Sequence, residues 1–118
     1  MDPNLVLADW LGRRVTVQID RPLGSIHPRE GDMVYPINYG FVPGTLAPDG
    51  HPIDVYVLDA DQPLDSCEAT VIAIVRRRDD VEDKLVAVLD DTGAWDAPAI
   101  VAAVDFQERY FDSWVELA

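Results

Sequence analysis

From Arg14 to Asp20 apolar and polar residues alternate without a break. Val15, Val17 and Ile19 fall on one side, and Thr16, Gln18 and Asp20 on the other. A period of two marks a strand with one buried face. Arg21-Pro22-Leu23-Gly24-Ser25 ends the pattern with turn residues. Three more runs, Val55–Leu58, Ala69–Val75 and Lys84–Leu89, are rich in Val, Ile and Leu and bounded by Pro, Gly or Asp. They predict three further strands. Val34–Val42 is expected to be extended too, with Pro36 confining it to an edge or a bulge. Near the C-terminus the period changes. Asp96 is placed to cap a helix beginning at Ala97-Pro98, and Ile100, Val101, Val104, Glu108 and Phe111 continue at helical spacing to an end near Ser113. Strands first and a helix last favour an α+β class over alternating α/β. About five short strands and one helix imply a small OB-like β-barrel with a C-terminal helix.

Length and charge narrow the picture. With 118 residues the chain has room for one hydrophobic core, so residues 1–118 are read as a single domain. The longest apolar run, Ala69–Val75, falls far short of the roughly 20 residues of a membrane-spanning helix. MDPNLVLADW at the start lacks the basic-then-apolar pattern of a secretory signal. Cys67 is the lone cysteine, which excludes an intrachain disulfide and fits a reducing, cytoplasmic setting. A formal charge of −13 argues against nucleic acid as a partner. If the substrate is itself an anion, bound cations must invert the local potential.

The candidate chemistry sits in two turns. Residues 35–58, YPINYGFVPGTLAPDGHPIDVYVL, carry Tyr35 and Tyr39, then a turn with Asp49, His51 and Asp54. Acidic and imidazole groups on a tight turn can aim several donors at one divalent cation. A second acidic cluster, Asp79-Asp80-Val81-Glu82-Asp83-Lys84, follows the apolar run Ala69–Val75. Lys84 is the only lysine among nine basic residues, and a compact ammonium suits a phosphate oxygen. Each feature also has a plain structural explanation. Asp-Gly before proline is an ordinary turn, DDVEDK an ordinary solvated loop, and paired tyrosines ordinary sheet aromatics. His27, before Pro28, reads as a turn residue, though its place near Ser25 and Arg29 would suit an anion. Together the spaced acidic turns, Lys84 and the tyrosines point to a metal-dependent phosphate site.

The chain resembles the soluble inorganic pyrophosphatases of the metal-dependent barrel family (family I). The likeness is carried by YPINYGFVPGT at 35–45, DGHPIDVYVL at 49–58, VIAIVRRRDDVEDKLVAV at 71–88 and DFQERYF at 105–111. Its IDRPLGSIHP opening is similar to that of a compact, divergent bacterial subgroup. The resemblance implies a five-stranded barrel with a flanking helix and hydrolysis of inorganic diphosphate to two phosphates. It implies Mg2+ as cofactor, or Mn2+, Co2+ or Zn2+. Asp49, Asp54 and Asp79 match metal ligands, with Asp83 as the fourth and Glu82 as its alternative. Tyr39, Lys84 and Tyr110 match phosphate contacts, and Tyr35 a supporting one.

The pattern also departs from the family. His51 stands in place of the middle aspartate, Gln18 in place of a first-strand glutamate and Phe111 in place of a lysine. The LGSIHP turn replaces a hairpin bearing a lysine and a glutamate, and Arg21 or Arg29 would stand in for the arginine before the first tyrosine. His51 is therefore read with Asp54 as the catalytic pair. It is either a donor that favours Mn2+, Co2+ or Zn2+ over Mg2+, or a base near the ordinary histidine pKa of about 6.5. Alternatives to diphosphate are another small phosphorylated substrate, admitted through the opened pocket, or a barrel that binds without turnover. A homo-oligomer is expected, as bacterial relatives form trimer-based assemblies and an open barrel edge needs cover.

Overall fold

The computed structural model describes residues 7–47, 50–79, 82–90 and 95–117. A short 3-10 turn, Leu7–Trp10, precedes β1 (Arg14–Arg21), β2 (Asn38–Val42), β3 (Ile53–Val57), β4 (Ser66–Arg77) and β5 (Lys84–Val88). Helix α1 (Ala97–Glu108) and β6 (Ser113–Leu117) complete the chain order. Strands run β1-β2-β3-β5-β4 around the sheet, and β4 returns to pair with β1. Five strands therefore close into a mixed barrel, with β3 and β5 parallel and the other pairs antiparallel. The α+β barrel with a C-terminal helix expected from the sequence is the architecture observed. No helix among the described residues is long and apolar enough to cross a membrane.

Alternation decides what each face of the barrel holds. Val15, Val17 and Ile19 of β1 join Val55 and Val57 of β3 and Leu85 and Ala87 of β5 in the inner core, together with Trp10. The intervening residues Tyr39, Tyr56, Val86 and Val88 face outward, where Ile100 and Val104 of α1 cover them. Two bulges break the alternation. Opposite β2, the register slips between Ile19 and Arg21, so Asp20 is an extra residue. Opposite β5, it slips between Val71 and Ala73. Before that second slip odd-numbered β4 residues (Ala69, Val71) face the inner core; after it Ile74 does, and Ala73 and Val75 turn toward α1. A bulge re-aims every later side chain on its strand. Arg77 consequently lies on the α1 side.

Three expectations need correction. The helix begins as read, with the Asp96 side chain accepting from the Ala99 N–H at 2.9 Å, but it ends at Glu108, and Ser113–Leu117 form a strand. The cause is the length of β4: its first part pairs with β1, leaving Ala73–Arg77 an open edge that β6 covers. Strand β2 starts only at Asn38, and Pro36 lies before it. Finally, the segment between β1 and β2 is itself a small hairpin-like loop. An antiparallel bridge joins Ile26 and Val34, and the His27 N–H donates to the Met33 carbonyl at 2.9 Å.

Candidate active site

On the outer face of the barrel, beside the C-terminal end of α1, lies a cavity of about 980 Å3. Its floor follows from strand register. Tyr39 sits opposite Tyr56 and Phe41 opposite Asp54 across β2 and β3. The parallel neighbour β5 brings Lys84 alongside, since Val55 and Leu85 are partners. Lys84 Nζ donates to Asp54 Oδ2 at 2.9 Å and lies 5.4 Å from the Tyr39 ring centroid. The Lys84 side chain is only 2% exposed, and a buried ammonium is sustained by such a partner. Tyr39 lies near the Asp54 carboxylate. Burial, and then the Asp54 charge, push its pKa well above the ordinary tyrosine value, so it remains a proton donor at neutral pH.

The rim comes from β1 and the loop after it. Because of the bulge, consecutive residues Asp20 and Arg21 both line the cavity. Burial raises the Asp20 pKa; Arg21 opposes this and the nearby Asp54 charge adds to it. Arg21 Nη1 donates to the Tyr35 hydroxyl oxygen at 2.7 Å, and its guanidinium lies 5.8 and 5.7 Å from the Tyr35 and Tyr39 rings. His27, Arg29 and Glu30 of the loop line the same space. Imidazole Nδ1 of His27 accepts from the backbone N–H groups of Arg29 at 3.0 Å and Glu30 at 3.2 Å.

The wall from β4 and α1 is an ion pair inside a hydrogen-bond chain. Arg77 Nε and Nη2 donate to Glu108 Oε1 at 2.9 Å and Oε2 at 2.7 Å, and the guanidinium stands 3.6 Å from the Phe111 ring centroid. Burial alone would lower the Arg77 pKa, but the Glu108 hydrogen bonds and charge raise it on balance. Tyr56 donates to Glu108 Oε2 at 2.6 Å, and Gln107 Nε2 donates to the Tyr56 oxygen at 2.7 Å. Tyr35 in turn donates to Gln107 Oε1 at 3.0 Å. With Arg21 on Tyr35 at one end and Arg77 near Glu82 at the other (3.4 Å), the chain braces opposite walls of the cavity. Bidentate guanidinium–carboxylate pairing fixes direction as well as charge.

The cavity gathers seven of the residues singled out from sequence: Arg21, Arg29, Tyr39, His51, Asp54, Lys84 and Tyr110. Asp79 and Asp83 are not among its lining residues. Asp79 Oδ2 accepts from the Asp112 N–H at 3.1 Å. Asp83 pairs with Arg76 at 3.2 Å and accepts from the Arg77 N–H at 2.9 Å. Asp83 precedes a cavity-facing Lys84, and neighbours in extended chain point to opposite sides. Glu82, one step further back, faces the cavity instead, 3.8 Å from Lys84 Nζ. Asp49 lies outside the described residues.

Arg77, Asp20 and the Gln107–Glu108 pair were not singled out, and their signals were weak. Arg77 hides in a run of three arginines and is turned to the cavity side only by the β4 bulge, while Asp20 reads in sequence only as a polar position of β1 beside a turn. A smaller cavity of about 210 Å3 between α1 and β6 is walled mainly by Val75, Val101, Val104, Phe111, Trp114 and Val115 and carries no comparable set of groups.

Comparison with known proteins agrees with the fold and the motifs. Residues 13–114 match the family model for inorganic pyrophosphatase. The chain is 38% identical over 95 residues to a soluble inorganic pyrophosphatase of Oryza sativa subsp. indica, covering 75% of this chain and 44% of that protein. It is 45% identical over 76 residues to an inorganic pyrophosphatase of Aeropyrum pernix, covering 61% and 40%. Among solved structures, the inorganic pyrophosphatase of Ehrlichia chaffeensis superposes with a TM-score of 0.70 at 20% identity, over 91% of this chain and 87% of that one. That of Neisseria gonorrhoeae gives 0.58 at 26% identity, over 97% and 85%. The chain belongs to the inorganic pyrophosphatase family. It spans less than half the length of these curated relatives.

Family I pyrophosphatases depend on metal ions, and the cavity's donors fit a hard divalent cation. Among the described residues no cluster of three carboxylate, imidazole or thiol groups is close enough to hold an ion by itself. Magnesium is commonly bound through one or two carboxylates, with water and substrate phosphate completing the shell. Asp20 and Asp54, close enough for one charge to raise the other's pKa, supply such oxygens, and Glu82 lines the same space.

Proposed function

We propose that this protein hydrolyses inorganic diphosphate to two phosphates with the help of a divalent cation. One observation carries the reading. In a chain of net charge −13, Arg21, Arg29, Arg77 and Lys84, four of nine basic side chains, line one cavity beside Asp20, Glu30, Asp54 and Glu82. Fixed cations bind an anion and carboxylates hold its counter-cation, the two requirements of phosphoanhydride cleavage. Asp54 and Asp20, with Asp49 and Glu82, would hold the cation; Asp79 and Asp83 enter only if the loops around them turn. A cation there supplies charge neutralisation on the phosphates and a more acidic water. Lys84 and Arg21 orient the phosphate oxygens, Tyr39 donates a hydrogen bond from its protonated hydroxyl, and Tyr110 and Arg29 close the rim. His51 at the cavity edge is the candidate base, or a donor that widens metal choice toward Mn2+, Co2+ or Zn2+.

Phosphate release from diphosphate and a panel of phosphoesters, each with Mg2+, Mn2+, Co2+ and Zn2+, tests the proposal. Turnover of diphosphate that falls at least about 100-fold in Asp54→Asn is expected. Intact, folded protein with no turnover in any pairing would refute it. Activity with Mg2+ far above the other three ions would remove His51 from the metal role. A cytoplasmic homo-oligomer completes the proposal. The outer edge of β6 is paired with no strand among the described residues, and Trp114 and Leu117 there are exposed.

A further inference from the structure

The loop between β1 and β2 carries an imidazole that no part of the proposed chemistry uses. His27 is tied down on one side and open on the other. Its Nδ1 accepts from two successive backbone N–H groups, Arg29 and Glu30. Its ring stacks on Tyr35 with centroids 6.1 Å apart and planes within 6°. Tyr35 packs 5.7 Å from Tyr39 and receives the Arg21 guanidinium. Arg21, His27 and, through Tyr39, Lys84 are thus referenced to one aromatic pair. With Nδ1 an acceptor, the ring proton belongs on Nε2. Nε2 takes no part in the loop's own hydrogen bonds, and His27 lines the cavity.

Resting on the phosphate-site reading above, we propose that His27 is a further substrate-binding residue. It is a neutral imidazole, locked by its own loop, that presents Nε2–H to an oxygen of the bound phosphate anion beside Arg21. Protonating Nδ1 would break both loop hydrogen bonds. Burial, then the adjacent Arg21 charge, also lower the His27 pKa, consistent with a neutral donor near pH 7. The local geometry also says how the donor and the loop cap can be separated. An asparagine at this position keeps an oxygen where Nδ1 stands, able to accept from residues two and three further on, but has no atom where Nε2 stands. Glutamine does the reverse.

The test compares His27→Asn and His27→Gln. If His27 binds substrate, His27→Asn raises KM for metal–diphosphate about tenfold or more with kcat within about twofold, and His27→Gln recovers most of the loss. If His27 only caps its loop, His27→Asn is near wild type and His27→Gln is the impaired variant; that outcome overturns the inference and leaves the proposed function standing. A second readout does not need turnover. In wild-type protein titrated with inorganic phosphate, imidazole nitrogen–proton correlation spectra should show an Nε2–H signal that shifts at saturating phosphate. Phosphate binding detected by calorimetry without movement of that signal overturns the inference. Absence of phosphate binding overturns both it and the site reading.

Discussion

Glu108 is the residue on which the α1 wall of the cavity depends. It is 5% exposed, accepts two hydrogen bonds from Arg77 and one from Tyr56, and would leave Arg77 without its principal counter-charge if removed. Breaking a buried pair by deleting one partner typically costs about 3–5 kcal/mol. Glu108→Ala should therefore lower the urea midpoint by that equivalent; a loss under about 1 kcal/mol would mean that water satisfies Arg77 instead. His27 sets a pH dependence of stability. Burial and the charges of Arg21 and Arg29 lower its pKa below 6.5, against the opposing Glu30. Between the lowered value and 6.5 the unfolded chain holds more protons than the folded one, so stability rises with pH and is fully gained above about 6.5. Asp20 has the opposite sign: its raised pKa makes stability fall as pH rises above 3.8 through the folded value. Urea midpoints measured across pH should flatten below 6.5 in His27→Asn and lose the low-pH fall in Asp20→Asn.

At the scale of elements, what was legible follows period and caps. The alternation of Val15, Val17 and Ile19, the apolar runs of β3, β4 and β5, and the Asp96 cap each express a local rule, and each element appears where that rule put it. β6 was not legible because nothing local marks Ser113–Leu117, just past the expected end of the helix, as a strand; its strand state comes from the open edge of β4. The same holds for the site. Lys84, Asp54 and Tyr39 stood out by residue type, whereas the way Arg21 and Arg77 face the cavity depends on bulges whose partners are distant in sequence. One glycine marks how tightly the elements meet. A Cβ on Gly40 would run into the Gln18 carbonyl oxygen of β1. Backbone cannot yield as a side chain can, so Gly40→Ala should destabilise by about 1–3 kcal/mol or more. A wild-type thermal midpoint would show that β1 and β2 separate easily.

Across the whole molecule, charge is arranged rather than merely abundant. Acidic groups outnumber basic ones 22 to 9, yet the cavity holds four of the nine. The surrounding field repels a bare anion, which favours a substrate that arrives with its cation. Raising ionic strength should therefore change KM for the metal–diphosphate complex far less than it changes inhibition by free phosphate, and equal sensitivity would contradict this reading. The open β6 edge with exposed Trp114 and Leu117 leads to a further expectation. Sedimentation at micromolar concentration should give a mass above the 13.1 kDa protomer, whereas a monomer at all concentrations would place that edge in solvent.

Anomalous diffraction from crystals equilibrated with Mn2+ and a non-hydrolysable diphosphate analogue reaches the heart of the matter. A peak within coordination distance of Asp54, with the analogue between it and the Arg21 and Lys84 side chains, is the expected result. Manganese found only on surface carboxylates, with the cavity occupied by neither ion nor analogue, would contradict it.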